Sequence, residues 1–536
     1  MALIQDIVLL LAQLPVRALG ILAIVGVVLA AIFKRSFKRY PFPLPPSPPA
    51  EPLFGHFRTL PLEDAHLKHM EYARKYGSDI IYFNVLGNHM IVLNSQRAAN
   101  EILDKRGAIY QDRPNFVLFD VMGWGLTLTF MPYGPRFKLH RSVLQTGFTK
   151  SAITKYASIQ EDEARQAVAR IVKSPPGWEN SFRRFAPAVV LRIGFGVTVN
   201  SDDDPYIKIA KDANLATSKG GNPGTALVDY LPAFRWIPEV LNFSMTLKHA
   251  RQWRWAIKNL HDIPFASIKK EYRSPDTQQE AGTANESFAY SLLKKYDENA
   301  EKGIPNHFTM RDIQGASGSV FIAGSNTTLA TTTVALLNIM QNPAVFAKAR
   351  AELDRVVGTD RLPSLSDRSQ LRYIDYIVEE TTRWRPLSPI GIPHKSLKDD
   401  VYNGMFIPKG TFVYYNTYAM SRDTAVYKNP EEFNPDRFIP TSEGGDGEPF
   451  LVGPFGFGRR ICVGRHLAQA SVWIIVATMI STLDISKPLG PDGKPLEQNV
   501  RFSTGLSSHP DKFEVSFKPR SEKAVALLLE AQGERS

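Results

Sequence analysis

Apolar and polar positions divide the chain into stretches of very different texture. Residues 18–33 carry no charge and are rich in Ile, Leu, Val and Ala. At ~1.5 Å per residue a helix of this length covers about 24 Å, slightly short of a bilayer core of ~30 Å. The less regular apolar stretch 7–16 extends it, and Lys34, Arg35, Lys38 and Arg39 follow at once. Such a basic flank stays on the cytoplasmic side. A cleaved signal peptide carries its basic residues before the apolar run, so residues 1–40 are expected to be a membrane anchor. Further on, residues 80–85 and 90–93 are strand-like runs around Gly87-Asn88 and predict a β-hairpin. Residues 190–197 and 253–272 show helical periodicity with charged faces. Residues 313–347 contain no charge at all. Their Gly, Ser, Thr and Asn content is too polar for lipid. The pattern therefore predicts a buried central helix lining a cavity, about 42 Å long over residues 313–340, and stopped at Asn342-Pro343.

Two irregular segments are also apolar. Residues 115–130 hold Phe116, Leu118, Phe119, Trp124 and Leu128, too greasy to leave in water. Residues 226–238 mix Trp, Tyr and Arg with apolar side chains, which suits a membrane interface or a packed loop about equally. Residues 274–286 are polar and are expected to form a mobile loop. The prolines of residues 41–49 fix φ and remove donors, which predicts a stiff extended spacer.

Composition narrows the picture. The chain has 536 residues, 43% of them hydrophobic, and no Gly/Ser linker, charge block or repeat divides it after residue 50. One large globular unit is expected, with boundaries at 1–40 (anchor), 41–52 (hinge), 53–520 (body) and 521–536 (tail). A net charge of +11 suits an anionic membrane surface or an acidic protein partner. The basic residues are scattered, and no C-x-x-C finger or aromatic RNA-binding motif is evident, so no nucleic-acid partner is expected. A single cysteine fits a reducing compartment.

That cysteine, Cys462, stands in Pro454-Phe455-Gly456-Phe457-Gly458-Arg459-Arg460-Ile461-Cys462-Val463-Gly464-Arg465-His466. Alone it can form neither an internal disulfide nor a multi-Cys metal site. Arg459 and Arg460 place charge nearby, and a helix opening near Gly464 points its N-terminus at the sulfur; both favour a thiolate. The glycines let the backbone approach something flat. From chemistry alone, a small buried residue in a Gly-rich loop explains Cys462 equally well.

Phe455, Gly458, Arg460, Cys462 and Gly464 fit F-x-x-G-x-R-x-C-x-G, which resembles the haem-ligand loop of the cytochrome P-450 family. The resemblance implies that Cys462 is the axial ligand of haem b (iron protoporphyrin IX), with Phe455 against the haem and Arg460 near a propionate. Ala323-Gly324-Ser325-Asn326-Thr327-Thr328 resembles the family's oxygen-activation motif, A-G-x-(D/E)-T-T. It implies room for dioxygen at Ala323 and Gly324 and a proton-handling hydroxyl at Thr327, with Asn326 where an acid is expected. An amide cannot ionise but can hold a water, so the proton route differs from the family pattern. Without the motif, Thr327 would read as a threonine bonding back to its own helix.

Glu380-Thr381-Thr382-Arg383 places two opposite charges on one helix face. Phe433-Asn434-Pro435-Asp436-Arg437-Phe438 resembles the family's F-x-P-(E/D)-R-F segment, which implies a buried Glu380–Arg383–Arg437 triad clamping the approach to the cysteine loop. On its own, a Glu–Arg pair at this spacing is usually surface decoration worth ~0.3 kcal/mol. The family's W-x-x-x-R stands here as Phe137 and Arg141. One propionate donor is thus missing, and His140 or Arg136 is a candidate to compensate, although a solvated helix face explains both more simply. The resemblance also places His394 near a propionate and the turn 502–508 against substrate.

Taken together, the resemblance implies a mostly α protein with small β-sheets: a single large haem domain of cytochrome P-450 fold behind an N-terminal transmembrane helix. It would be a monooxygenase inserting one atom of O2 into a lipophilic substrate, with electrons from a membrane-bound NADPH-cytochrome P-450 reductase. It would sit in the endoplasmic reticulum membrane with its catalytic domain cytoplasmic. Residues 110–141 are most similar to fungal secondary-metabolism members resembling O-methylsterigmatocystin oxidoreductase, which implies a terpenoid, sterol-like or polyketide substrate. Two rivals stay open: a haem-thiolate isomerase or dehydratase working on peroxides without a reductase, and a non-enzymatic haem sensor or carrier.

Overall fold

The computed structural model describes residues 40–52, 54–61, 63–241, 244–274 and 287–533, with isolated positions 20, 26, 27 and 30 before them. The expected anchor over residues 1–40, but for those positions and residue 40, and the polar stretch 275–286 lie outside the described residues.

The principal helices are α1 (Ala65–Tyr76), α2 (Val117–Met122), α3 (Pro135–Phe148), α4 (Ala157–Lys173), α5 (Trp178–Phe195), α6 (Pro205–Lys219), α7 (Arg254–Tyr272), α8 (Met310–Gln341), α9 (Arg372–Trp384), α10 (Arg465–Thr482) and α11 (Glu522–Gly533). The strands are β1 (Ile80–Val85), β2 (Asn88–Leu93), β3 (His394–Lys395), β4 (Asp400–Tyr402), β5 (Met405–Ile407), β6 (Phe412–Tyr415), β7 (Leu483–Ser486) and β8 (Ser516–Pro519). They form one sheet in the order β1-β2-β6-β3 and two antiparallel pairs, β4-β5 and β7-β8. The fold is therefore mostly helical with small sheets.

Helix α8 is the axis of the molecule. Thr309 starts it with a reciprocal cap: its hydroxyl accepts the Asp312 N–H while the Asp312 carboxylate accepts the Thr309 N–H. Pro343, which lacks an N–H, ends it. Its glycines are crossing points. A Cβ on Gly318 would lie 2.0 Å from Nδ1 of His261 on α7, and one on Gly324 would lie 2.2 Å from Cγ1 of Val190 on α5. Among the described residues α8 is the one helix long and apolar enough to cross a membrane, yet most of it is buried inside the body. Helix α5 begins well before the periodic stretch 190–197, because Trp178, Phe182 and Phe185 extend the same buried face towards its N-terminus.

The hairpin turn sits one residue earlier than the sequence suggests. Asn88 pairs with Val85, leaving Leu86 and Gly87 in the turn with φ of 50° and 77°. A left-handed leucine costs about 1–2 kcal/mol. Leu86 is buried, and burying such a side chain contributes about 1.5–3 kcal/mol, so the core accounts for the turn.

Two further expectations are corrected. The proline-rich stretch is no free spacer: Pro43 O accepts from the Phe406 N–H at 2.7 Å and Pro46 O from the Tyr82 N–H at 2.8 Å, so it lies against the body. The last residues are no tail: α11 buries Leu528 in the main core. Residues 110–114 follow a π-turn, Asn100–Lys105, in an extended course, and Asp112 bridges to Lys395.

Candidate active site

A cavity of about 630 Å³ lies between the middle of α8 and the loop that precedes α10. The loop owes its shape to two features. Cys462 N–H donates to Phe455 O at 2.8 Å, closing it on itself. Gly458, at φ 53°, passes so close to the π-turn that a Cβ would lie 2.1 Å from Leu103 O, and its N–H donates to the Asp104 carboxylate. Gly464 caps α10 at φ −83°, and a Cβ there would meet nothing of the chain. Cys462, Phe455 and Gly464 face the cavity from this side; Ala323, Gly324, Asn326 and Thr327 face it from α8.

Cys462 has an open surface, but that surface belongs to the internal cavity, and the sulfur is deep in the protein. Burial pushes the thiol up from its ordinary range, against the pull of the Gly464 N–H and of Arg141 and Arg465. The expected cationic neighbours, Arg459 and Arg460, are not the ones acting on it. Arg459 reaches Gln111, and Arg460 donates to Gln111 O at 2.7 Å and Met131 O at 2.8 Å. The chain alone therefore holds a thiol here, and a coordinated metal would deprotonate it.

Four arginines border the cavity, Arg113, Arg141, Arg385 and Arg460, and no Asp or Glu among the described residues does. Burial is the main cause pulling three of them down from the usual guanidinium range: Arg113 to about 10, Arg460 to about 8, and Arg141 as well. Arg113 and Arg141 add to the effect on Arg460. Nη2 of Arg460 is buried without a partner. Buried cations without a counter-charge are costly, and a ligand bearing carboxylates would relieve them. An apolar cavity with one thiol and a cluster of guanidiniums, whose acidic neighbour Asp112 does not border it, fits a flat dianion such as iron protoporphyrin IX.

The other residues expected near a propionate lie elsewhere. His394 is buried with Nδ1 2.8 Å from Tyr110 O and does not border the cavity; burial first, and then the charge of Arg113, holds the imidazole neutral. His140 and Arg136 do not compensate for the missing indole: His140 Nε2 lies 2.9 Å from Asp312 Oδ1, and Arg136 is paired with the same carboxylate. His140 is also not on a solvated face, being almost fully buried.

On α8, the Thr327 hydroxyl donates to Ala323 O at 2.6 Å, leaving its lone pairs for the cavity. Ala323 supplies the open surface, whereas Gly324 owes its lack of a side chain to Val190. Asn326 reaches Ser507 and His509 on the opposite wall.

The structure brings Glu380, Arg383 and Arg437 into one buried cluster. Arg383 Nε and Nη2 donate to the two Glu380 oxygens at 2.6 and 2.8 Å, and Arg437 Nε donates to Glu380 Oε1 at 3.1 Å. Arg437 also donates to Glu448 at 2.5 Å, so the cluster has two acids for two bases. Arg383 further donates to Ser421 O and Pro430 O, which pins the segment leading to the cysteine loop.

Sequence reasoning missed Arg113, Arg385, Glu448 and His509. Arg113 precedes a proline in an extended segment, where periodicity gives no sign of burial. Arg385 follows Trp384 and stacks on it at 4.7 Å, and on Phe502 at 4.8 Å, a contact between distant segments.

Comparison with known proteins adds to this geometry. The family model for cytochrome P450 matches residues 45–517. A cytochrome P450 monooxygenase of Armillaria gallica is 33% identical over 94% of this chain and 97% of its own length. Cytochrome P450 monooxygenase 136 of Postia placenta is 34% identical, with 97% of each chain covered. Tryptamine 4-monooxygenase of Psilocybe cyanescens is 32% identical over 90% of this chain and 94% of its own. A zebrafish cytochrome P450 solved with abiraterone superposes with a TM-score of 0.66, covering 85% of this chain and all of that one at 24% identity, which speaks for the fold.

Proposed function

The chain belongs to the cytochrome P450 family and is a monooxygenase with haem b as its cofactor, and from this we propose that it oxidises uncharged, lipophilic small molecules. Bound haem b supplies the iron at which dioxygen is activated. Cys462 would supply the sulfur that holds that iron, and Arg113, Arg141 and Arg460 would hold the carboxylates of the cofactor. Thr327 and Asn326 offer the hydroxyl and amide that order water on the other side.

The observation that carries the substrate class is the lining of the cavity. Its apolar walls are punctuated by hydroxyls of Thr127, Thr217, Ser319, Ser388 and Ser503, and no carboxylate among the described residues reaches it. An ammonium group entering such a cavity would find no carboxylate to pair with, a cost of several kcal/mol for a buried ion. A neutral terpenoid, sterol-like molecule or aromatic polyketide leaves no such charge unpaired. Tryptamine, the substrate in the name of one relative, is an amine and fits this lining poorly.

Electrons would come from an NADPH-cytochrome P-450 reductase, whose acidic face would meet this chain of net charge +11. Trp236, Val240 and Met245 are 78%, 97% and 78% exposed within ten residues of one another in sequence, which supports a membrane-seated body. We place it on the cytoplasmic side of the endoplasmic reticulum, anchored by residues 1–40, in fungal secondary metabolism.

Spectral titration of the holoprotein tests the substrate class. Sesquiterpene, sterol and aromatic polyketide probes are compared with tryptamine at equal concentration. A low- to high-spin shift with an uncharged probe and none with tryptamine supports the proposal. A shift with tryptamine alone overturns it.

A further inference from the structure

One polar cluster at the cavity wall has no part in holding the cofactor. Asn326 Nδ2 lies 3.1 Å from Ser507 Oγ and 3.2 Å from His509 Nε2, and those two atoms are themselves 3.1 Å apart. The three polar atoms form a closed triangle, and all three residues border the cavity. The triangle spans two elements distant in sequence: Asn326 belongs to α8, Ser507 and His509 to a turn near the C-terminus.

That turn is fixed from several sides. The His509 N–H donates to Ser503 Oγ at 2.9 Å, and the Ser503 N–H donates to His509 O at 2.8 Å. The Ser508 N–H donates to Leu387 O at 2.7 Å, and the Ser388 hydroxyl to Leu506 O at 2.8 Å. The imidazole thus has a fixed place against α8. The charged group facing it is Arg183 of α5, which is itself paired with Glu179 at 3.6 Å. As arranged, Nε2 accepts from both the amide and the hydroxyl, which assigns the ring proton to Nδ1. Asn326 stands at the position where the family pattern has an acid, and an amide cannot gain or lose a proton in this range.

We infer that His509 is the proton-holding group that stands in for the missing acid, acting through Ser507 on the cavity beside Asn326. The step balances without any oxidant. A proton from solvent is taken up at Nε2. Nε2–H then donates to Ser507 Oγ as the Ser507 hydroxyl passes its own proton to water in the cavity, and the ring returns to neutral. The Asn326 amide turns over while Nε2 is protonated, so that Oδ1 accepts where Nδ2 had donated. His509 is a positioning residue in this scheme, since Ser507 is the group that meets the cavity water. The inference rests on the monooxygenase reading. Its plain competitor is a set of three side chains that only satisfy one another's hydrogen bonds.

Two measurements on the full-length holoprotein decide between them. The first is NMR of protein labelled at histidine Cε1, in the diamagnetic reduced form with carbon monoxide. The His509 resonance, assigned by its loss in H509Q, should titrate below the ordinary histidine value of about 6.5 and shift upward in N326D, where a carboxylate faces the ring. A resonance indifferent to N326D overturns the contact. The second is oxygen reduction driven by NADPH and reductase without added substrate, split between peroxide and water. H509Q and S507A should raise the peroxide share several-fold and flatten its rise with pH, and N326D should reverse the H509Q effect. An unchanged share and pH profile in H509Q that keeps the red-shifted carbon monoxide band overturns the relay. Absence of that band from the wild type overturns the monooxygenase reading instead, so the two failures are distinct.

Discussion

The Arg460 guanidinium lies over the Phe137 ring, 3.6 Å from its centroid. The ring face is the negative part of the aromatic quadrupole, and such a contact is worth about 2 kcal/mol when desolvated. Phe137 stands where the family has a tryptophan that donates to a propionate. Here the aromatic platform is retained and the donor is lost. Phe137→Trp should preserve the stacking and hold haem at least as firmly, whereas Phe137→Leu should lower the haem content of purified protein by removing the platform. Equal haem retention in both variants would show that the stack does not orient Arg460.

Cys462→Ser should abolish the strongly red-shifted band of the reduced, carbon monoxide-bound protein. The chain alone leaves the thiol above its ordinary range, so the thiolate depends on the metal. A band that survives the substitution would mean that another ligand holds the iron.

Glu380→Gln should be severely destabilising. Glu380 and Arg383 are fully buried and Arg437 almost so, and the substitution leaves Arg383 with a neutral partner. Breaking a buried ionic cluster costs roughly 3–5 kcal/mol. The expected outcome is a large fall in the denaturant midpoint and in the yield of holoprotein. A midpoint within about 0.5 kcal/mol of wild type, the range of ordinary surface changes, would contradict the clamp.

Thr327→Ala should shift reduced oxygen from product or water towards peroxide. Its hydroxyl proton is committed to Ala323 O, so what the substitution removes from the cavity is an acceptor for ordered water. An unchanged peroxide yield would release Thr327 from any part in proton handling.

Stability should depend on Asp229. Burial raises this carboxyl to about 7, against backbone N–H groups that include Leu118 at 3.0 Å, and Oδ2 has no partner. Its folded value lies above its unfolded one. The contribution is therefore fully present below pH ~4 and is lost as pH rises to about 7. The difference corresponds to at most about 4 kcal/mol. Asp229→Asn should gain thermal stability relative to wild type between pH 5 and pH 8. A constant difference across that range would show that the carboxyl does not titrate there.

These residues also show what the sequence made legible. The length and placement of α8 followed from the loss of charge over residues 313–347, because a helix buried on all sides has no use for charged positions. The cysteine loop followed from fixed spacing within thirteen residues. What escaped were contacts between distant segments. Nothing around Arg113 announces burial, or that its guanidinium donates to the carbonyls of Ile392 and Pro393. The C-terminal turn was visible as a turn, but the meeting of His509 with Asn326 exists only once folding brings together residues 183 positions apart. The docking of the prolines on β1 and β5 escaped for a related reason: a proline-rich stretch looks the same in sequence whether its carbonyls face water or a strand.

Cys462 is the only sulfhydryl in the chain, and it opens onto the cavity floor rather than the outer surface. Alkylating reagents therefore have a single target, and an iron-bound sulfur does not react. The extent of labelling in a preparation counts the molecules without haem, molecule for molecule. The same circumstance gives the exterior a blank background: a cysteine introduced at Trp236 or Met245 can carry a spectroscopic tag in the loaded enzyme without a second site competing for it.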